Sequence, residues 1–213
     1  MIHRDSGWWP PPEAATSRRA EERTVTPQPL ISYPTRRSPS STEFADAMSA
    51  LAAGVVLVTC RLGDRPWGMT VTAFASVSAD PPTVLVSLGL ETTSAQTITA
   101  TRRFGVSILS ESQVAIAHLG SAPGAAKFLD SFVDPGDRSS AGPAVAGALA
   151  HLDCELSDAV QIADHTILFG RVRAARAARS GEPLLYHSRG YRTLGGRAAG
   201  RPPTERKIRC LSS

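Results

Sequence analysis

The feature that most constrains this chain is a series of short β-branched runs, separated by turn residues and without helices between most of them. GVVLVTCRL ends at Gly63-Asp64, PWGMTVTAFASVS stops at Asp80-Pro81-Pro82, and TVLVSLGL follows. FGVSIL, HLDCELSDAVQIA, HTILFGRVRAARA and PLLYHSRGYRTL come later. Runs rich in Val, Ile, Thr and aromatics, bounded by Gly, Pro and Asp, read as strands. Helical spacing is confined to SSTEFADAMSAL, to residues 92–102 and to ESQVAIAHLG. The first of these pairs a Ser40-x-x-Glu43 capping box with Phe44, Met48 and Leu51 on one face. The strand–helix alternation of a doubly wound sheet is missing. Closing many antiparallel strands on themselves removes exposed edges. The expected class is therefore mainly β, an antiparallel barrel with flanking helices.

Composition divides the chain into three parts. Seven of the 16 prolines fall in the first 40 residues, among Arg, Glu, Ser and Thr. Residues 1–40 are expected to be a disordered extension, with Trp8 and Trp9 as an aromatic pair that could dock on a partner or stay disordered. Residues 41–194 form the expected globular domain, and residues 195–213 a basic, disordered tail. Within the globular part, residues 121–147 read as a long loop interrupted by KFLDSF, which packs back onto the body. The sequence pI of 9.3 invites a nucleic-acid reading, but residues 41–194 carry 12 basic and 14 acidic groups. The basicity lies in the tails, so no basic face of the fold is expected for nucleic acid. No apolar run reaches the roughly 18 residues that span a bilayer, and no secretory signal is read at the N-terminus. Cys60, Cys154 and Cys210 match no zinc or redox spacing; Cys60 and Cys154 read as small core residues, and a reducing cytoplasm fits best. The histidines are scattered without metal-ligand spacing, so no metal site is expected.

No P-loop, G-x-S-x-G, HExxH or Rossmann glycine pattern is present. Small hydroxyl residues at strand ends remain. Thr70, Thr72, Ser76 and Ser78 alternate, so they share one face of an extended chain. Such a face suits the edge of a heteroaromatic ring, and equally an ordinary half-polar strand. Thr92, Ser94 and Thr97 stand where a helix begins, which suits either an anion or a plain N-cap. His165 lies between two strand segments, as a pocket donor or a satisfied polar group. Tyr186, Arg189 and Tyr191 could stack on a ligand or pack at a surface.

Together, the order and spacing of these segments resemble the flavin reductase-like family, whose fold is the FMN-binding split barrel. GMTVTAFASVSADPPTVLVSL is similar to the family block that lines the isoalloxazine ring. Ala53-Gly54-Val55, Thr92-x-Ser94, DHTILFGRV and PLLYHSRGYRTL match further family segments. The chain departs from the pattern at Ala163, where glycine is usual, and in residues 92–94, which lack a basic residue many members carry. The resemblance implies a six-stranded Greek-key barrel working as a homodimer. It implies FMN or FAD as cofactor and NADH or NADPH as co-substrate. Ala53, Gly54, Val55, Thr70, Val71, Thr72, Ala73, Ser76, Val77 and Ser78 would surround the ring. Thr92, Ser94 and Ala95 would sit at the phosphate, and Tyr191 and His165 would place the nicotinamide. The implied partner is a monooxygenase that accepts the reduced flavin. A flavin carrier or electron-transfer protein without turnover is the alternative, and a regulatory or nucleic-acid role for the basic tails a further one.

Overall fold

The alternation in VVLVTC sets two cores on opposite sides of one strand. In a computed structural model describing residues 37–137 and 141–195, Val56, Val58 and Cys60 of β2 (Val56–Leu62) point into one cluster. There they meet Trp67 and Val71 of β3 (Arg65–Val71) and Val84, Val86 and Leu88 of β5 (Pro82–Gly89). Phe104 and Val106 of β6 (Arg103–Ile108), Cys154 and Leu156 of β7 (Ala150–Ile162), and Leu168 of β8 (His165–Ala177) complete it. Leu57, one residue out of phase, joins a second cluster with Val55, Ile116, Ala117, Leu129 and Leu184. That period of two is what a strand buried on both faces requires. The expected features of residues 1–36, Trp8 and Trp9 among them, and of residues 196–213, including Cys210, lie outside the described residues.

The main sheet runs β3-β2-β6-β7-β8-β5-β4, with β4 spanning Phe74–Ala79, and every pairing is antiparallel. A flat sheet of seven strands would hold its edges about 29 Å apart. Its edge strands β3 and β4 are nevertheless joined by Thr72 and Ala73 alone, a reach of at most about 11 Å. The sheet must therefore curl until its edges meet. Because β3 pairs only with β2 and β4 only with β5, the barrel stays split along that seam. The neighbours β2–β6 and β5–β8 are not consecutive in sequence, as Greek-key crossing demands. The class matches the expectation, but the main sheet has seven strands rather than six. PWGMTVTAFASVS is two strands on opposite edges, because only a break at Thr72-Ala73 lets the chain pass from one edge to the other.

Among the described residues, three α-helices flank the barrel. The capping box forms at α1 (Ser41–Ser49): Glu43 N donates to Ser40 Oγ at 3.2 Å and Ser40 N to Glu43 Oε2 at 2.7 Å. α1 buries none of its residues, and Phe44 and Met48 stay exposed. α2 (Thr93–Thr101) sends Ala95 and Ile98 into the barrel cluster and so closes one mouth. α3 (Val114–Ser121) lays Ile116, Ala117 and Gly120 on the outer face of β2 and β3. A small sheet of β1 (Ala53–Gly54), β9 (Leu185–His187) and β10 (Gly190–Arg192) stands beside it. KFLDSF does pack back: Leu129 is fully buried and Phe128 meets Trp67 edge-on at 5.1 Å. No helix among the described residues is long and apolar enough to cross a membrane.

Both described cysteines are free and buried. Burial pushes each thiol up to about 12, far from the thiolate that alkylation needs. Cys60 and Cys154 of the native protein should therefore resist iodoacetamide near neutral pH and react on unfolding, as peptide mass spectrometry would read.

Candidate active site

Side-chain alternation along β3 opens the strand to a cleft on each side. Trp67 and Met69 line a cavity of about 500 Å³. Thr70 and Thr72, with Val71 at the strand end, line another of about 610 Å³.

The smaller cavity sits at the mouth that α2 closes. Its other walls are Glu91, Thr92, Thr93 and Ser94 at the start of α2, and residues 124–127. Thr92 is the N-cap: its Oγ1 accepts from Ala95 N at 3.2 Å and donates to Gly89 O at 2.8 Å. The hydroxyl thus holds the helix start in place, where N–H groups and the helix dipole favour an anion. Ser94 is only 1% exposed, and its Oγ has no hydrogen-bond partner among the described residues. A buried hydroxyl without a partner is costly. Lys127 stands on the same wall, its pKa lowered by burial. An unpaired buried donor, a helix start and a partly desolvated ammonium together fit a phosphate group. Residues 92–94 carry no basic side chain, but Lys127 reaches this cavity from the loop that KFLDSF anchors, with Lys127 O accepting from Gly68 N of β3 at 3.1 Å.

The larger cavity is enclosed by α3 and the β9–β10 hairpin. Tyr191 is its aromatic centre, edge-on to His118 at 4.8 Å and to Tyr186 at 5.5 Å, with its hydroxyl donating to Ser121 Oγ at 3.4 Å. Thr70 donates its hydroxyl hydrogen to Ala117 O at 2.9 Å, tying β3 to α3. A third cavity of about 460 Å³ adjoins under α1, sharing Thr72, Tyr186 and Arg189 and adding Ala53 and Ala73.

Thr70, Val71, Thr72 and Tyr191 therefore come together at one cavity, Thr92 and Ser94 at the other, and Ala53 and Ala73 beside them. Gly54 pairs with Leu185, and Val55 is fully buried between Leu184 O and Leu109 N. Ala95 is inside the barrel cluster. Ser76, Val77 and Ser78 are exposed on β4, on the walls of none of these cavities; Ser78 Oγ is tied to Asp80. His165 opens β8 with its side chain 51% exposed, also outside the three cavities. Its Nδ1 lies 2.8 Å from Asp164 Oδ1, a hydrogen bond that holds the Asp164 carboxyl below its usual range. Lys127 and His118 were missed in sequence: His118 sits in the helical stretch ESQVAIAHLG with no local sign that it lines a cavity, and for Lys127 only KFLDSF signalled that its loop returns to the body. Among the described residues no group of three or more His, Cys, Asp or Glu side chains could hold a metal.

A split antiparallel barrel with a cavity at its helix-closed mouth, walled by a helix start, a buried hydroxyl and a lysine, is the class that fold and site define. Residues 48–195 match the model of the flavin reductase like domain. The chain is 34% identical over 152 residues to the reductase component of a 4-hydroxyphenylacetate 3-monooxygenase from Thermus thermophilus, covering 71% of this chain and 95% of that protein. It is 36% identical over 155 residues to an NADH-dependent flavin reductase of Pseudomonas fluorescens, covering 71% and 88%. Among solved structures, the NADH:FAD oxidoreductase of Streptomyces globisporus in complex with NAD and FAD fragments superposes with a TM-score of 0.67. That match has 32% identity and covers 74% of this chain and 94% of that one. This chain belongs to the flavin reductase like family.

Proposed function

We propose that the chain is an NAD(P)H-dependent flavin reductase that supplies reduced FMN or FAD to a separate flavin-dependent monooxygenase. The observation that carries this reading is the buried, unpaired Ser94 hydroxyl on the same cavity wall as Lys127 and the start of α2. It is what a flavin phosphate would complete. The relatives named for NADH-dependent flavin reduction and for a monooxygenase reductase component support the substrates and the partner. When bound, the flavin supplies the redox chemistry, taking a hydride from the reduced nicotinamide.

The chain's own residues bind and orient. Ser94, Lys127 and the helix start that Thr92 caps hold the phosphate, with Ala95 setting the depth of α2 in the barrel. Val71, Thr72, Ala73 and the β4 residues Ser76, Val77 and Ser78 border the ring, on a floor set by Ala53, Gly54, Val55 and Thr70. Tyr191 walls the nicotinamide side. The enzyme works as a homodimer: Val77 of β4 and Val160 and Ile162 of β7, each at least 42% exposed, are large apolar side chains that a second copy would cover. That docking carries His165, at the tip of the β7–β8 hairpin, toward a nicotinamide held by the other copy. Hydride transfer needs donor and acceptor about 3–3.5 Å apart, so a pinning group raises the rate without acting as a base. We place the enzyme in the cytoplasm, in keeping with its free thiols.

His165→Ala should raise the apparent KM for NAD(P)H and slow flavin reduction by about 10- to 100-fold, with flavin affinity little changed. A reduction rate equal to wild type in stopped flow would remove His165 from this role. The supply role is tested by anaerobic ultrafiltration after reduction with NADH. Reduced flavin should pass into the filtrate; flavin retained by the protein through turnover would contradict supply to a separate enzyme.

A further inference from the structure

The turn joining β9 to β10 is built from two residues that both adopt left-handed backbone, Ser188 at φ 48° and Arg189 at φ 57°. His187 and Gly190 pair across it, so the loop contains those two residues alone. Such hairpin loops favour Asn-Gly because positive φ is costly for a residue with a Cβ. Here an arginine occupies the position where glycine would relax the backbone. The conformation places the Arg189 side chain on the walls of both the larger cavity and the one under α1.

The charge around Arg189 is one-sided. Among the described residues no carboxylate lines the larger cavity, and Arg189 is its one permanent cation, alongside His118 and the hydroxyls of Thr70, Thr72, Ser121, Tyr186 and Tyr191. The partner of Arg189 is Asp46 of α1. Both side chains of that pair are 59% exposed, and an ion pair in solvent contributes little. A phosphate could therefore take the guanidinium from Asp46 at small cost, with bidentate, charge-assisted hydrogen bonds in return. The flavin phosphate is already assigned to Ser94 and Lys127, whereas Arg189 shares its cavity with Tyr191 on the nicotinamide side, so the anion that suits Arg189 is one carried by the dinucleotide.

We propose that Arg189 takes a phosphate of the nicotinamide dinucleotide, with Asp46 holding it in readiness when the cavity is empty. The choice of dinucleotide rests on the flavin reductase reading. The phosphate is either the pyrophosphate common to NAD and NADP or the 2′-phosphate of NADP alone.

Arg189→Gly separates this role from a structural one, because glycine relaxes the left-handed turn while removing the cation. The expected result is a melting temperature unchanged or raised by about 2–4 °C. In the presence of FMN, the Kd for the dinucleotide, measured by calorimetry, should rise about 10-fold. An equal loss for NAD⁺ and NADP⁺ identifies the pyrophosphate; a loss confined to NADP⁺ identifies the 2′-phosphate. Arg189→Lys should retain part of the affinity. Asp46→Asn, which frees the guanidinium, should tighten binding by up to about 5-fold. Wild-type Kd values for both dinucleotides in Arg189→Gly would overturn the inference. NADH oxidation by the wild type with added flavin is followed separately. Its absence would count against the reductase reading, whereas turnover with unaltered Arg189→Gly affinity would defeat this inference alone.

Discussion

Lys127→Glu is expected to weaken flavin binding by more than about 100-fold while the protein remains folded. The side chain stands on the wall of the Ser94 cavity, whereas the loop is anchored through the Lys127 backbone carbonyl and the buried Leu129. Losing a charge-assisted hydrogen bond costs about 1.5–3 kcal/mol, and a carboxylate beside the phosphate adds repulsion. Titration of FMN followed by fluorescence quenching would give the affinity, and circular dichroism the fold. The wild type should also show a pH signature. Burial lowers the Lys127 pKa, and a bound phosphate would raise it again, so the bound state holds the proton more tightly. Flavin affinity should accordingly be full below the lowered Lys127 pKa and fall as pH rises through it. Lys127→Arg, which stays charged, should lose that dependence. Affinity flat with pH in the wild type and unchanged in Lys127→Glu would place the phosphate elsewhere.

Gly120→Ala tests how tightly α3 sits on the functional strand. In an exposed helix this change stabilises by about 1 kcal/mol. Here the new Cβ would lie 2.3 Å from Thr70 Oγ1, 2.8 Å from Thr70 N and 2.7 Å from Leu57 Cδ1. Two of those atoms belong to β3, which cannot move without disturbing its ladder with β2. The clash therefore reverses the sign, with an expected loss of about 2–3 kcal/mol and a melting temperature lower by roughly 4–12 °C. Pushing α3 outward also stretches the Thr70–Ala117 hydrogen bond and moves His118 and Ser121 in the larger cavity, so KM for the nicotinamide should rise. A thermal scan showing an unchanged or higher melting temperature would mean that the helix is not seated this closely.

Most strands were legible because each carries its own signal, although PLLYHSRGYRTL, read as one strand, is the β9–β10 hairpin. The alternation in VVLVTC and the hairpin at Gly63-Asp64 needed no distant information, and Leu62 pairs with Arg65 as that turn requires. The break at Thr72-Ala73 was not legible, because barrel closure requires it and no local pattern marks it. The hydroxyls read from the sequence divided in the same way. Thr92 and Ser94 share a cavity because both sit at one helix start, whereas Ser76 and Ser78 share an exposed strand outside the cavities. Lys127 was invisible as a site residue because it comes to the Ser94 cavity only through the return of its loop to Gly68. At Ala163 the departure from the family's glycine takes structural form as φ 54° in the tight β7–β8 turn, a conformation that costs a residue with a Cβ.

The central claim is catalytic flavin reduction by a nicotinamide cofactor. Its most direct test is to mix a trace of the purified protein anaerobically with excess NADH or NADPH and excess FMN or FAD, and to follow the bleaching of the flavin's visible absorbance. Bleaching should proceed far beyond the molar amount of protein, at a rate proportional to protein concentration. Bleaching that stops at one flavin per chain, or none above the uncatalysed rate, would contradict it.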